Sequence, residues 1–389
     1  MKKLLFAAAV ITAMASCSNN EIIDVNPGEG ISFRTSLDKA TRTNAENVTT
    51  LDNLSEFKVA GIGNGATYMP ELLVSKSASA WNTASTYYWP EFGLKFFAYA
   101  PTNLGTGSAT LNHTAQTISG FAPAAEIADQ KDLLISYNTG NKTNNEANGV
   151  EMNFKHALSQ IEILAKNSNP NIKIEVKGVR IVNAGRKADF TFPTEITNSA
   201  YTLPQAQWSN LQEKDTREAY KVKGENIVEL TSNAQSIMFG KKNFMLIPQS
   251  LTAWKGKGYN DGAYISVLCR IYSKSGSEDI LLYPKTSPAT RASVILPGQT
   301  MYAYASVAID TNWEPGKKYV YTLDFCSTAT NGGGAGLIDP NPDNTTDPEV
   351  DPNPKPGSNG GDPVLNGPIK FTVSVDDWTD AAAENITMQ

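Results

Sequence analysis

The sequence predicts an all-β protein: two tandem antiparallel β-sandwich domains, then a disordered linker and one C-terminal strand. Three observations predict it. Apolar and polar residues alternate with a period of two along most of the chain. Turn-forming clusters separate the alternating runs at short intervals. No long segment carries helical periodicity.

The strand candidates illustrate the pattern. Leu94 to Pro101 reads LKFFAYAP and stops at a proline. Ile161, Ile163 and Ala165 alternate with Glu162 and Lys166. Ile172, Ile174 and Val176 alternate with Lys173, Glu175 and Lys177. Tyr319, Tyr321, Leu323 and Phe325 alternate with Val320, Thr322 and Asp324. Each run can bury one face and wet the other, as antiparallel sheets do. Gly61-Ile62-Gly63-Asn64-Gly65, Asn167 to Asn171 and Pro315-Gly316 supply the turns.

Two polar stretches divide the chain. Asn138 to Gly149 reads NTGNKTNNEANG, too polar to be core, and marks the expected boundary between domains at 43–147 and 148–327. Residues 328–367 are rich in Gly, Pro, Asn and Asp. With Pro368 they hold eight of the 21 prolines, which predicts an extended or disordered linker. The spaced Asp-x-Asp-x-Asp-Gly pattern of a calcium loop is missing there. Beyond it, in 368–389, Ile369, Phe371, Val373 and Val375 alternate with Lys370, Thr372, Ser374 and Asp376. A single strand has no stability of its own, so this one must pair with a sheet. A linker of about 40 residues has a random-coil span of roughly 35 Å. That reach serves a neighbouring molecule or a return to the strand's own domain.

The opening residues carry a different message. Lys2 and Lys3 precede a short apolar run, Leu4 to Ala15, and Met14-Ala15-Ser16-Cys17 places small residues before a cysteine. This predicts a lipoprotein signal peptide over 1–16 and a mature start at Cys17, whose thiol takes the lipid. The membrane is then met only through that lipid, since no other stretch is long and apolar enough to span a bilayer.

Composition narrows function. A net charge of −6 argues against a nucleic-acid partner. Only two histidines occur, His113 and His156, with no nucleophile or metal-ligand spacing around either. Asp376 and Asp377 are adjacent and point to opposite faces of a strand. No catalytic residues, metal ligands or cofactor are expected. Cys269 lies on an apolar strand face with Ile265, Val267 and Ile271, and with Cys326 it reads as a buried free thiol rather than part of a disulfide framework; export to an oxidising compartment leaves a bond between them as the other reading. Trp81, Trp208, Trp254 and Trp313 belong to a core or interface, or to a glycan platform.

Several motifs, in order, resemble the fimbrillins, subunits of the type V pili of Bacteroidota. They are the lipobox; Tyr88-Trp89-Pro90 before LKFFAYAP; Phe154-Lys155-His156-Ala157-Leu158-Ser159-Gln160; Leu246-Ile247-Pro248-Gln249; Trp313-Glu314-Pro315-Gly316-Lys317-Lys318-Tyr319-Val320-Tyr321; and IKFTVSVDDW, residues 369–378. The resemblance implies two transthyretin-like sandwiches in a structural protein with no enzymatic activity. It implies a lipid-anchored precursor at the outer membrane that a trypsin-like protease cuts after an arginine. The cut discards the first strand, and the C-terminal strand of another fimbrial subunit, the same or different, fills the gap. Applied to this chain, the lipidated segment is 17–42, the removable strand carries Ile31 and Phe33, and the cut falls between Arg42 and Thr43. Arg34 is a second arginine but lies inside the strand. The donor strand carries Ile369, Phe371, Val373 and Val375, and Ile-x-Phe recurs at both ends. The resemblance favours a shaft subunit or one just below the tip. A surface lipoprotein that binds glycan or host protein without polymerising is the alternative.

Overall fold

The computed structural model describes residues 29–37, 45–78, 80–195, 203–214, 219–276, 278–285, 301–328, 333–341 and 347–377. Cys17, Arg42 and Thr43 lie outside them.

Strands dominate, as the alternation predicts. The first stretch of chain forms β1 (Phe33–Leu37), β2 (Glu56–Gly63), β3 (Ala66–Ser77), β4 (Ala80–Thr83), β5 (Leu94–Ala100), β6 (Ser108–Leu111), β7 (Gln116–Phe121), β8 (Leu134–Gly140) and β9 (Val150–His156). Next come β10 (Ser159–Asn167), β11 (Ile172–Val182), β12 (Lys187–Thr191), β13 (Trp208–Gln212), β14 (Ala219–Glu229), β15 (Gln235–Ser236) and β16 (Phe244–Leu246). The chain continues through β17 (Tyr264–Ser275), β18 (Glu278–Tyr283), β19 (Ala303–Ala308), β20 (Lys317–Phe325), β21 (Leu337–Ile338) and β22 (Lys370–Asp377).

A seven-stranded sheet in the order β1-β9-β8-β5-β2-β3-β4 organises the first half. Its central strands are apolar on both faces. On β5, Phe96 and Ala98 face one core while Phe97 and Tyr99 face another. The second of these cores is closed by a four-stranded sheet, β13-β12-β7-β6. The first lies inside a curl of the large sheet itself. Its edge strands β1 and β4 approach until Trp81 Nε1 donates to Thr35 Oγ1 at 3.0 Å. The second half packs β14-β11-β17-β19-β21, with β18 on β17, against β15-β10-β20-β22, with β16 on β10. One core holding Ile161, Ile163, Val267, Trp313 and Tyr321 fills the space between.

Three expectations are corrected. The Asn138–Gly149 stretch is no domain boundary. It runs from the end of β8 through a short helix, Lys142–Asn145, into β9, and both strands belong to the same sheet. Asn141 caps that helix, accepting from the Asn144 amide at 3.0 Å, which is why an Asn-rich run folds there. Nor are the two units sequential at 147/148. β12 and β13 leave the second unit to supply half of the first unit's smaller sheet. Around β16 the side chains alternate between units: Phe244 and Leu246 enter the second core, Met245 and Ile247 the first. The period of two that makes a strand amphipathic here makes it a shared wall.

The third correction concerns 328–367. Among its described residues, Ala335, Ile338, Val350 and Val364 are buried, and β21 pairs with β19. Gly336 and Ile338 donate to Gly367 O and Asp362 O at 3.0 and 2.8 Å, and Val364 donates to Gly336 O at 2.9 Å, so 361–368 runs against 334–338 as a ribbon. The Pro/Gly composition hides a few well-spaced apolar residues that fix this segment to the sheet. Finally, two pairings are parallel rather than antiparallel: β1 with β9, and β10 with β20.

Candidate functional site

The two ends of the chain occupy two sheet edges. At the first, β1 pairs among the described residues only with β9, in parallel, with Phe33 opposite Val150 and Leu37 opposite Phe154. Ahead of it, the Ile31 amide donates to Tyr87 O at 2.7 Å, and Ser32 O accepts from the Val150 amide at 2.8 Å. Alternation then sorts the side chains. Ile31, Phe33 and Leu37 are 7%, 6% and 8% exposed and point into the curl. Phe33 meets Phe57 and Phe96 edge to face at 6.2 and 5.6 Å. On the outer face, Arg34 pairs with Glu151 at 3.2 Å and Ser36 Oγ donates to the same carboxylate at 2.9 Å. That ion pair is exposed and adds little. The inward face therefore holds the strand. Without β1, the curl would open between β9 and β4 along a slot walled by Phe57, Phe96, Phe154 and Trp81.

At the second edge, β22 pairs among the described residues only with β20, antiparallel, with Phe371 opposite Leu323 and Val375 opposite Tyr319. Ile369 is buried, and Phe371 lies 5.9 Å from the Tyr321 ring. Phe371 and Val373 are only half-buried, and Val375 is 53% exposed. Ile369 belongs to the second core and Phe371 and Val373 pack at its rim, while Val375 lies beyond it; among the described residues the sheet ends here.

A buried polar cluster fixes the segment before β22. Arg180 Nη2 meets Asp339 Oδ2 at 2.9 Å, both side chains being 2% exposed. It also donates to Asn341 O at 2.7 Å, and the guanidinium lies 3.8 Å over the Tyr304 ring. Ser266, Ser306 and Tyr264 all hydrogen-bond the Asp339 carboxylate. Burial opposes the charge on Arg180, but the Asp339 carboxylate more than offsets this and raises the pKa.

The remaining sequence candidates take structural roles. His156 Nδ1 lies 2.8 Å from Asp132 Oδ2, buried where the two units join. His113 lies at the surface beside Thr67. Cys269 and Cys326 are buried free thiols in the second core. Trp208, Trp254 and Trp313 are buried, and Trp81 is committed to Thr35, so these four form no exposed platform for a glycan. A cleft of about 740 Å³, lined in part by Asn53, Glu56, Asp129, Gln130 and Lys131, has no aromatic wall. Among the described residues, no cluster of His, Cys, Asp and Glu could hold a metal, and no helix is long and apolar enough to cross a membrane.

Sequence reasoning singled out Ile31, Phe33, Ile369, Phe371, Val373 and Val375. It missed Thr35, Leu37 and Trp81 in the first seat and Arg180 and Asp339 under the tail. Leu37 sits at the period-two position and was legible. The pairing of Arg180 with Asp339, 159 residues apart, had no local signal.

Comparison with known proteins agrees with this architecture. A fimbrial protein from Bacteroides vulgatus ATCC 8482 has a similar structure, with a TM-score of 0.52 at 14% identity, covering 90% of this chain and 100% of that one. A candidate cell-adhesion protein from Bacteroides eggerthii DSM 20697 gives 0.45 at 16%, covering 90% and 97%. One from Parabacteroides distasonis ATCC 8503 gives 0.48 at 10%, covering 92% and 99%. No curated protein matches the chain. A sequence model described as fimbrillin-like matches residues 41–336, well over half of the chain, and the chain belongs to the fimbrillin-like family.

Proposed function

We propose that this cell-surface fimbrial subunit is assembled by strand exchange: β1 is cut away after Arg42, and the C-terminal strand of another subunit takes its place. The observation that carries the reading is the pair of edge strands. Among the described residues β1 is joined to one neighbouring strand, yet its apolar face is a structural part of a core. Its loss leaves a hydrophobic slot with an open strand edge, which is the template for strand addition. β22 offers a matching Ile-x-Phe face from a seat that leaves part of that face in water.

Before the cut, Cys17 carries lipid and holds the precursor at the outer membrane. The cut releases the anchor and β1 together. The partner is another fimbrial subunit, identical or different, and the processing enzyme is a trypsin-like protease. The sequence around the cut, Ala40-Thr41-Arg42-Thr43-Asn44, is small and polar, which suits such a protease. Treatment of purified precursor with a trypsin-like protease tests the reading. The expected result is a protein beginning at Thr43 that forms SDS-resistant ladders, and deletion of 369–389 abolishes them. A cleaved chain that stays monomeric at high concentration refutes it.

A further inference from the structure

We infer, on the basis of the strand-exchange reading, that the partner seated in the slot of β1 is residues 369–375 of a second copy of this chain, parallel to β9, with Ile369, Phe371, Val373 and Val375 in the places of Ile31, Phe33, Thr35 and Leu37.

Seven residues align without a gap: Ile31-Ser32-Phe33-Arg34-Thr35-Ser36-Leu37 and Ile369-Lys370-Phe371-Thr372-Val373-Ser374-Val375. Every inward position is met by a side chain that fits an apolar wall. The Phe33 position decides direction. It is walled by Phe57 and Phe96 at ring distances of 6.2 and 5.6 Å. The parallel register puts Phe371 there. The antiparallel register puts Val373 there and forces Phe371 against Trp81 at the Thr35 position. A shift of one residue turns the apolar face outward. A shift of two leaves the aromatic slot filled by Ile369 or Val373.

The outer face agrees. Ser374 falls at Ser36, whose hydroxyl donates to Glu151 at 2.9 Å, so that hydrogen bond is kept. Lys370 falls at Ser32, an exposed position with room for a long side chain. One contact changes: Val373 has no oxygen for Trp81 Nε1, which Thr35 accepts at 3.0 Å.

Burial gives the transfer its direction. At home Val375 is 53% exposed, whereas Leu37, whose place it takes, is 8% exposed. Phe371 and Val373 are half-buried at home. The home seat is therefore a store, less complete than the slot. The ribbon of 334–338 with 361–368 fixes where the strand departs, since Gly334 donates to Pro368 O at 2.6 Å.

The test links thiols across the new seam. Ser36 stands opposite Asn153 in β9, so the inferred register brings Ser374 opposite Asn153. Three double variants of the full precursor are prepared: Asn153→Cys with Ser374→Cys, with Thr372→Cys, and with Lys370→Cys. Each is cleaved, assembled and treated with a short thiol cross-linker. Covalent ladders are expected from the Ser374 variant alone, and none before cleavage, because at home Ser374 faces Val320. Linking through Thr372 instead reports a shift of two residues. Linking through Lys370 reports an antiparallel strand. A polymer that links through none of the three seats its donor elsewhere. Each of these results overturns the register while leaving strand exchange standing; absence of any polymer in the wild-type chain overturns exchange itself. Val373→Phe gives an independent readout. It overfills the Thr35 position against Trp81, whereas at home Val373 lies half-buried at the rim of the second core; the monomer, checked by its melting curve, folds and ladder formation falls at least tenfold. Unchanged assembly of that variant refutes the register.

Discussion

Replacing Asp339 with alanine should be among the most damaging single changes to the second unit, although the residue lies in a segment whose composition reads as a linker. The substitution removes the carboxylate from a pair whose side chains are both 2% exposed. Arg180 cannot shed its charge, so the cation stays buried with only Asn341 O and the Tyr304 face. Ser266, Ser306 and Tyr264 lose their acceptor as well. Removing one partner of a buried ion pair costs about 3–5 kcal/mol. For a folding unit of this size, that lowers the melting temperature by roughly 6–20 °C. Calorimetry of the purified precursor reads the shift, and amide exchange places it: protection should fall first at Gly336, Ile338 and Val364, whose amides form the ribbon. The double variant Arg180→Met, Asp339→Leu should recover most of the loss, because paired apolar replacement of a buried ion pair is often neutral. A melting shift below about 2 °C for Asp339→Ala, with the ribbon amides still protected, would refute the claim that this pair fixes the tail.

Three other substitutions or conditions test separate features. Phe33→Ala in the precursor should cost about 3–5 kcal/mol by chemical denaturation and loosen β1, speeding protease entry measured by cleavage rate. Asp189 is held below the usual carboxylate range by the side chain of Asn210 and the amide of Gly120, both at 2.7 Å. Its folded-state pKa is depressed, so its contribution is complete above the ordinary value of 3.8 and is lost as pH falls through the folded value. Denaturant unfolding below pH 4 should weaken wild type, while Asp189→Asn, already lacking that contribution, should respond less. Burial pushes the Cys326 thiol up to about 11, and burial with the neighbouring Cys326 sulfur raises Cys269 further. Both thiols should resist iodoacetamide at pH 8 in the folded protein and react on unfolding, as mass spectrometry will report.

The fold class was legible because a strand writes its period of two directly into the sequence. β10, β11, β20 and β22 all fall where alternation predicts. Long-range assembly was not legible, because alternation does not say which core a face enters. On β16, Phe244 and Met245 are adjacent apolar residues that serve different cores. Nothing local tells β12 and β13 to cross back to the first unit. Average composition also misleads where a few residues decide. Residues 328–367 are polar overall, but Ala335, Ile338, Val350 and Val364 are spaced widely enough to tie its described residues down. The site followed the same division. Ile31, Phe33, Ile369 and Phe371 could be read from each strand alone, whereas Trp81 enters the first seat only because the large sheet curls until β4 reaches β1.

Under the proposed exchange the C-terminal strand would have two seats, and these would make different demands on its sequence. At home, Ile369 is buried and opposite charges face each other near the two ends of the seam with β20, Asp324 opposite Lys370 and Lys318 opposite Asp376, the ion pairs of Asp324 and Lys318 themselves being made with Lys166 and Glu162. Such cross-strand pairs are worth only about 0.2–1 kcal/mol each. In the slot of β1, apolar volume sets the register, and a single fully buried Val or Phe contributes about 1.5–3 kcal/mol. If the strand is exchanged as proposed, polar ends around an apolar middle would make it tighter in the slot than at home. Making the inward face of the home seat more apolar should trap the strand, whereas Thr322→Val on β20, opposite Thr372, should add little because that pair lies on the outer face. A larger apolar residue brought over Val375 from Tyr319's side would remove the burial difference. Assembly would then slow although both partners of the exchange were untouched, because the difference between the seats drives the transfer.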